Sequence, residues 1–171
     1  MADRVVHASP RRLSRPDDPI DRDTPAIPFA TLGTVCVVAG GMVAAVTARA
    51  PTEAGTWAVA YLVLVAGAAQ IGLGVGQAML AAEAPPSRLV AAELTLWNCA
   101  NAGVLAGTLL DVEPLIDTGG GLLMLALALF AHRVRRGKDR PRWPLFAYRL
   151  LVIALLTSIP IGLLLARAGS V

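Results

Sequence analysis

Apolar residues in this chain gather into five long runs, and the polar residues between them alternate from run to run between cation-rich and cation-poor segments. A bilayer hydrocarbon core about 30 Å thick needs roughly 20 apolar residues at about 1.5 Å rise each, and lipid forces backbone polar groups to be satisfied inside a helix or a closed barrel. Four runs reach that length: 28–48, 57–80, 89–110 and 146–166. A fifth, 114–131, is weaker, because Asp117 and Gly119, Gly120 and Gly121 occupy its first turns and would also suit a re-entrant segment. The pattern predicts an all-α, polytopic integral membrane bundle.

Charge decides the status of the weaker run. Cytoplasmic loops carry the Lys/Arg excess, and acidic residues contribute little to orientation. Arg4, Arg11, Arg12, Arg15 and Arg22 precede the first run, and Arg133, Arg135, Arg136, Lys138, Arg140 and Arg142 lie between the fourth and the fifth. Both clusters fall on one side only if 114–131 also spans. The expectation is therefore five transmembrane helices, with the N-terminus cytoplasmic and the C-terminus outside. Trp57 and Tyr61 would mark the outer start of the second helix, and Trp143 and Tyr148 the inner start of the fifth, as interfacial aromatics do. Arg149 would snorkel to the cytoplasmic surface.

Composition adds the limits of this bundle. The chain has 171 residues, 56% of them hydrophobic, so there is room for one bundle at 28–171 and one short tail. Residues 1–27 mix five arginines, five aspartates and four prolines without apolar periodicity. Such a segment cannot bury enough surface to offset its ordering entropy, and a disordered cytoplasmic tail is expected. The motif Ala48-Arg49-Ala50 imitates a signal-peptidase site, but the apolar run before it is longer than a signal h-region and Pro51 would follow the cut, so an uncleaved signal anchor is expected. A net charge of +3 does not point to nucleic acid, because the cations crowd beside the membrane without interleaved aromatics. They are expected to meet anionic lipid headgroups, around 133–142. Fourteen arginines against one lysine, with abundant Ala, Gly and Val, suggest a GC-rich bacterial genome and hence the bacterial cytoplasmic (inner) membrane.

Small residues recur at helical spacing and predict close packing, which together with interhelical hydrogen bonds is what holds helices together in lipid. The first helix offers Gly33, Cys36, Gly40, Ala44 and Thr47; the second offers Gly67, Gln70, Gly74 and Gln77 on one stripe. The run Gly72-Leu73-Gly74-Val75-Gly76 follows no strand, so it is not a dinucleotide-binding turn. Cys36 and Cys99 belong to no C-x-x-C pair and read as small packing residues. Pro160 removes a hydrogen bond to Leu156 and predicts a kink in the fifth helix, with Thr157 and Ser158 available to the freed groups.

Polar chemistry is confined to two places. Glu93, Trp97 and Asn101 recur on one face of the third helix, with Asn98 at its edge. An ionisable residue inside a span is costly and marks a candidate site. If the second and third helices form a hairpin through 82–88, Gln77 reaches the depth of Glu93 and Gln70 that of Asn98, so that Glu93, Asn98, Asn101, Gln70 and Gln77 share a polar layer. That layer is either a proton- or solute-binding site with Glu93 as its titrating group, or a hydrogen-bonded lock on helix register. The second place is an outer acidic cluster, Asp111, Glu113 and Asp117, whose carboxylates could serve a hard cation but whose spacing fits no EF-hand and equally suits a helix start at Asp117-Thr118. No metal site, cofactor or catalytic residue is assigned. The two histidines, His7 and His132, leave the spans without an imidazole, which argues against bis-histidine haem and against a serine hydrolase built on Ser158.

The leading expectation is an accessory, assembly or scaffold subunit that meets other membrane protein subunits, or further copies of itself. A small oligomeric transporter or channel lined by the Glu93 layer is the alternative, and a membrane enzyme acting on lipid or quinone is a further one.

Overall fold

The structure, a computed structural model, describes residues 26–81, 85–134 and 142–168, with the side chains after 161 excepted. Its five helices are α1 (Ala26–Thr47), α2 (Glu53–Leu80), α3 (Ser87–Leu110), α4 (Glu113–Val134) and α5 (Arg142–Ala168). All five contain a stretch long and apolar enough to cross a membrane. The fold is thus all-helical with five candidate spans, as the apolar runs predict. The expected tail lies outside the described residues, apart from its last two, which already belong to α1.

The weak fourth run forms a full helix. It begins at Glu113, with Pro114 in its first turn where a missing N–H costs nothing, and the Thr118 hydroxyl donates to the Pro114 carbonyl at 2.7 Å. The helix start expected at Asp117-Thr118 is therefore corrected to four residues earlier. At the other end α4 continues past Ala131 for most of a turn and takes in Arg133. Arg142 likewise belongs to α5, so two of the six cations assigned to a loop are helical. The other four lie outside the described residues.

Helix α3 passes into α4 through Asp111 and Val112 alone. Asp111 adopts a left-handed conformation with φ 56°, and the Val112 N–H donates to the Gly107 carbonyl at 2.8 Å, closing the helix end. This turn folds α4 back along α3, and the two helices pack together along their length. A side chain at Gly119 would place its Cβ 2.7 Å from the Val104 nitrogen and 2.9 Å from the Ala100 carbonyl, and one at Gly107 would meet the Ile116 nitrogen at 2.8 Å. Backbone approaches backbone here.

Helices α1 and α2 meet through Gly33, Gly40 and Gly67. Gly67 faces Val37 and the Gly33 carbonyl, while Gly40 faces Leu62 and Val63. Ala44 is exposed and takes no part, contrary to the expected stripe. Between Leu62 and Ala69 the chain takes π-helical geometry, which the apolar sequence there does not announce. The stripe Gly67, Gln70, Gly74 and Gln77 is buried throughout.

Helix α5 docks on α4 and on the last part of α2. Gly72 and Gly76, one turn apart, receive Leu151 and the ring of Tyr148, whereas Gly74 receives Phe29 of α1. The three glycines thus admit two different neighbours. Helix α5 runs through Pro160, and the hydroxyls of Thr157 and Ser158 donate to Ile153, Ala154 and Leu155 carbonyls, as hydroxyls in apolar helices commonly do.

Candidate functional site

Up-and-down packing brings the starts of α1, α3 and α5 and the ends of α2 and α4 to one end of the bundle. Aromatic rings fill the interior there: Phe130 of α4 meets Phe29 of α1 edge-on at 5.6 Å and Trp97 of α3 edge-on at 6.2 Å. Leu73, Leu123 and Leu127 complete a dry core. One turn from Trp97 and Phe130, nearer the helix ends, stands the single strongly polar centre among the described residues.

Glu93 is 2% exposed. The Gln77 amide nitrogen donates to its Oε2 at 2.9 Å, and the Arg133 Nε lies 2.7 Å from its Oε1. The second contact is an ion pair rather than an aligned hydrogen bond, because Oε1 lacks a donor in good geometry. Arg133 is 26% exposed, so the pair joins a sealed carboxylate to a partly open guanidinium. The buried Tyr148 of α5 closes the same end of the bundle, and its hydroxyl bonds nothing among the described residues. Three helices therefore supply the carboxylate and its two partners. Leaving it unpaired at this depth would cost several kcal/mol, and removing one member of a buried ion pair costs about 3–5 kcal/mol.

The remaining candidate residues do not join this centre. Gln70 is fully buried, and neither of its amide atoms has a hydrogen-bond partner. The Gln77–Glu93 bond sets the register of α2 against α3, which puts Gln70 about 10 Å and Asn101 about 12 Å along the bundle from that bond. By that count Gln70 lies within about 3 Å of the depth of Asn98, as expected, and within about 1.5 Å of that of Asn101. No side-chain bond links them: the Asn98 amide returns to the Leu94 carbonyl at 2.8 Å and the Asn101 amide to the Trp97 carbonyl at 2.7 Å. Asn101 Oδ1 and Trp97 Nε1 are buried without partners. Backbone approach between α2 and α3 is sparse, and α4 lies against both. The polar residues thus form one bonded pair and a separate, deeper group, rather than one layer.

At the opposite end Asp111 caps α3, Glu113 opens α4, and Asp117 sits on the exposed side of α4. Among the described residues no three His, Cys, Asp or Glu side chains gather into a metal-binding group.

Two side chains at the end that carries the polar centre went unread in the sequence. Arg133 looked like one loop cation among six, and the signal available was its place at the end of a helix antiparallel to the one that carries Glu93. Tyr148, expected as an interfacial anchor, is buried against Gly76, whereas Trp143 is 76% exposed and stacked on Phe146. Tyr61 stacks on Trp57 at 5.0 Å near the start of α2, with its hydroxyl buried.

The fold and this centre define a class: a small multi-pass helical membrane protein with a buried carboxylate paired across its helices. Among protein-family models, curated proteins and solved structures, none matches the chain.

Proposed function

We propose that this protein is an accessory, assembly or scaffold subunit of a membrane complex, seated in the bacterial inner membrane with its N-terminus cytoplasmic and its C-terminus outside. The observation that carries the reading is the closed state of Glu93, sealed and held by Gln77 and Arg133. A carboxylate so engaged serves helix register, the use of buried polar pairs for which specificity is the best-attested benefit. Consistent with this role, α1 and α5 leave most of their length free to face lipid or other subunits. Affinity purification from native membranes in mild detergent, with mass spectrometry of what co-purifies, tests the reading. A partner recovered in fixed ratio is the expected result; recovery of this chain alone counts against it.

One observation favours a second reading, a small oligomeric transporter or channel. Buried polar atoms without partners are uncommon in folded proteins, and Gln70, Trp97 and Asn101 supply four of them inside the bundle. A polar permeant or coupled proton would find partners there. Glu93→Gln separates the two readings: the scaffold role keeps folding and partner recovery, because the amide still bonds Gln77, whereas proton-coupled flux in proteoliposomes is lost.

A further inference from the structure

Five cations or potential cations are described at the end of the bundle that carries the polar centre: Arg88, His132, Arg133, Arg142 and Arg149. Four are exposed; Arg133 alone is partly buried. The exposed carboxylates of the described residues, Glu53, Asp111, Glu113 and Asp117, all lie at the opposite end. A guanidinium offers five N–H donors in a planar fork that suits phosphate, and a point charge such as an ammonium does not reproduce that fork. Glu93 engages Arg133 at Nε, and this is the one interaction Arg133 makes among the described residues. Among the described residues nothing takes up the donors of its two terminal nitrogens. A side chain as long as arginine at a helix end ordinarily points wherever water lies; here its Nε lies 2.7 Å from a buried carboxylate on a neighbouring helix, an ion pair that draws the guanidinium inward.

We propose that Arg133, oriented through Nε by Glu93, binds the phosphate of an anionic phospholipid headgroup, with Glu93 as its positioning residue. The inference rests on the membrane reading of the five helices and not on the scaffold role. Three observations select the ligand. The fork stands in the last turn of a span, where headgroup phosphates are concentrated. The exposed Arg88, Arg142 and Arg149 make the surrounding field positive and favour an anionic lipid over a zwitterionic one. The exposed Trp143 stacked on Phe146 at the same end is the aromatic pair typical of that depth.

Native mass spectrometry of the purified full chain, after exchange into micelles carrying equal phosphatidylglycerol and phosphatidylcholine, reads the retained lipid directly. The wild type should retain phosphatidylglycerol preferentially. Glu93→Gln discriminates by sign. It removes a negative charge, so a merely diffuse basic field would hold the anionic lipid as well or better, whereas an oriented site should lose roughly fivefold of the preference, the effect of about one headgroup contact. Arg133→Lys keeps the charge and its pairing with Glu93 but lacks the fork, and should show the same loss even if the Glu93 variant does not fold. Retention of the preference by Arg133→Lys, or a rise with Glu93→Gln, overturns the site. Inorganic phosphate that displaces the retained lipid at millimolar concentration would assign the fork to a soluble phosphate and overturn the lipid assignment. Partner recovery plays no part in this readout, so the two proposals fail separately.

Discussion

Helices α4 and α5 both pack on a neighbour, but they are held by different means. Helix α4 is joined to α3 by a two-residue turn, by glycines that bring the backbones together, and by the ion pair from Arg133 to Glu93. Helix α5 rests on α2 and α4 through Tyr148, Leu151, Val152 and Leu155, and no ion pair or side-chain hydrogen bond ties it to them among the described residues. In water the second arrangement would be adequate, because burying apolar side chains removes them from solvent. In lipid the tails are as apolar as the side chains, and apolar contact alone discriminates weakly. Of these two helices α4 is accordingly the firmly held one, and α5 the one that should separate first.

Breaking the polar lock should have the largest effect on this contrast. Glu93→Ala leaves Arg133 without its carboxylate and should destabilise the bundle by about 3–5 kcal/mol, read by steric-trap unfolding in bicelles. A loss below about 1 kcal/mol would mean that the pair is solvated and the lock is nominal.

Crowding the α3–α4 seam comes next. Gly119→Ala should cost about 1–3 kcal/mol, because the new methyl would press on the Val104 nitrogen and the Ala100 carbonyl, which are backbone atoms that cannot turn aside. Gly76→Ala should cost less, about 1 kcal/mol, because the obstacle is the Tyr148 ring on the loosely held α5. Cross-linking between cysteines placed on α2 and α5 should fall in this variant, while cross-linking between α3 and α4 stays unchanged. Equal losses in both pairs would erase the distinction between the two regions. Gly41→Ala is the smallest change: nothing lies within 4 Å of the added carbon, and stability should stay within about 0.5 kcal/mol.

Much of the fold was legible because membrane helices announce themselves by length. Only charge placement marks the weak fourth run as a span, since Asp117 and three glycines obscure its hydropathy. In the structure those glycines have separate uses: Gly119 and Gly120 are buried and Gly121 is open. The candidate site was legible in part. Helical spacing placed Glu93, Trp97 and Asn101 on one face, and counting outward from the turn matched Gln77 to Glu93. The same counting brings Gln70 to a depth close to that of Asn98, but it could not show that the Asn98 amide bonds its own backbone and that Gln70 bonds no side chain. Arg133 and Tyr148 escaped because their residue types have an ordinary use at helix ends, and a flanking cation or tyrosine looks the same in sequence whether it turns outward to headgroups or inward to a carboxylate.

By itself the sequence determined the number and approximate limits of the helices, because backbone hydrogen bonding in lipid depends on local apolar length. It also determined the gathering of cations between the fourth and fifth runs and of carboxylates between the third and fourth. The tertiary structure decided which helices press backbone against backbone, where α2 takes π-helical geometry, and which side chains complete the carboxylate centre. Those choices depend on the rotation and stagger of whole helices, and a shift of a few ångströms decides whether a long side chain such as Arg133 meets Glu93 or the membrane surface.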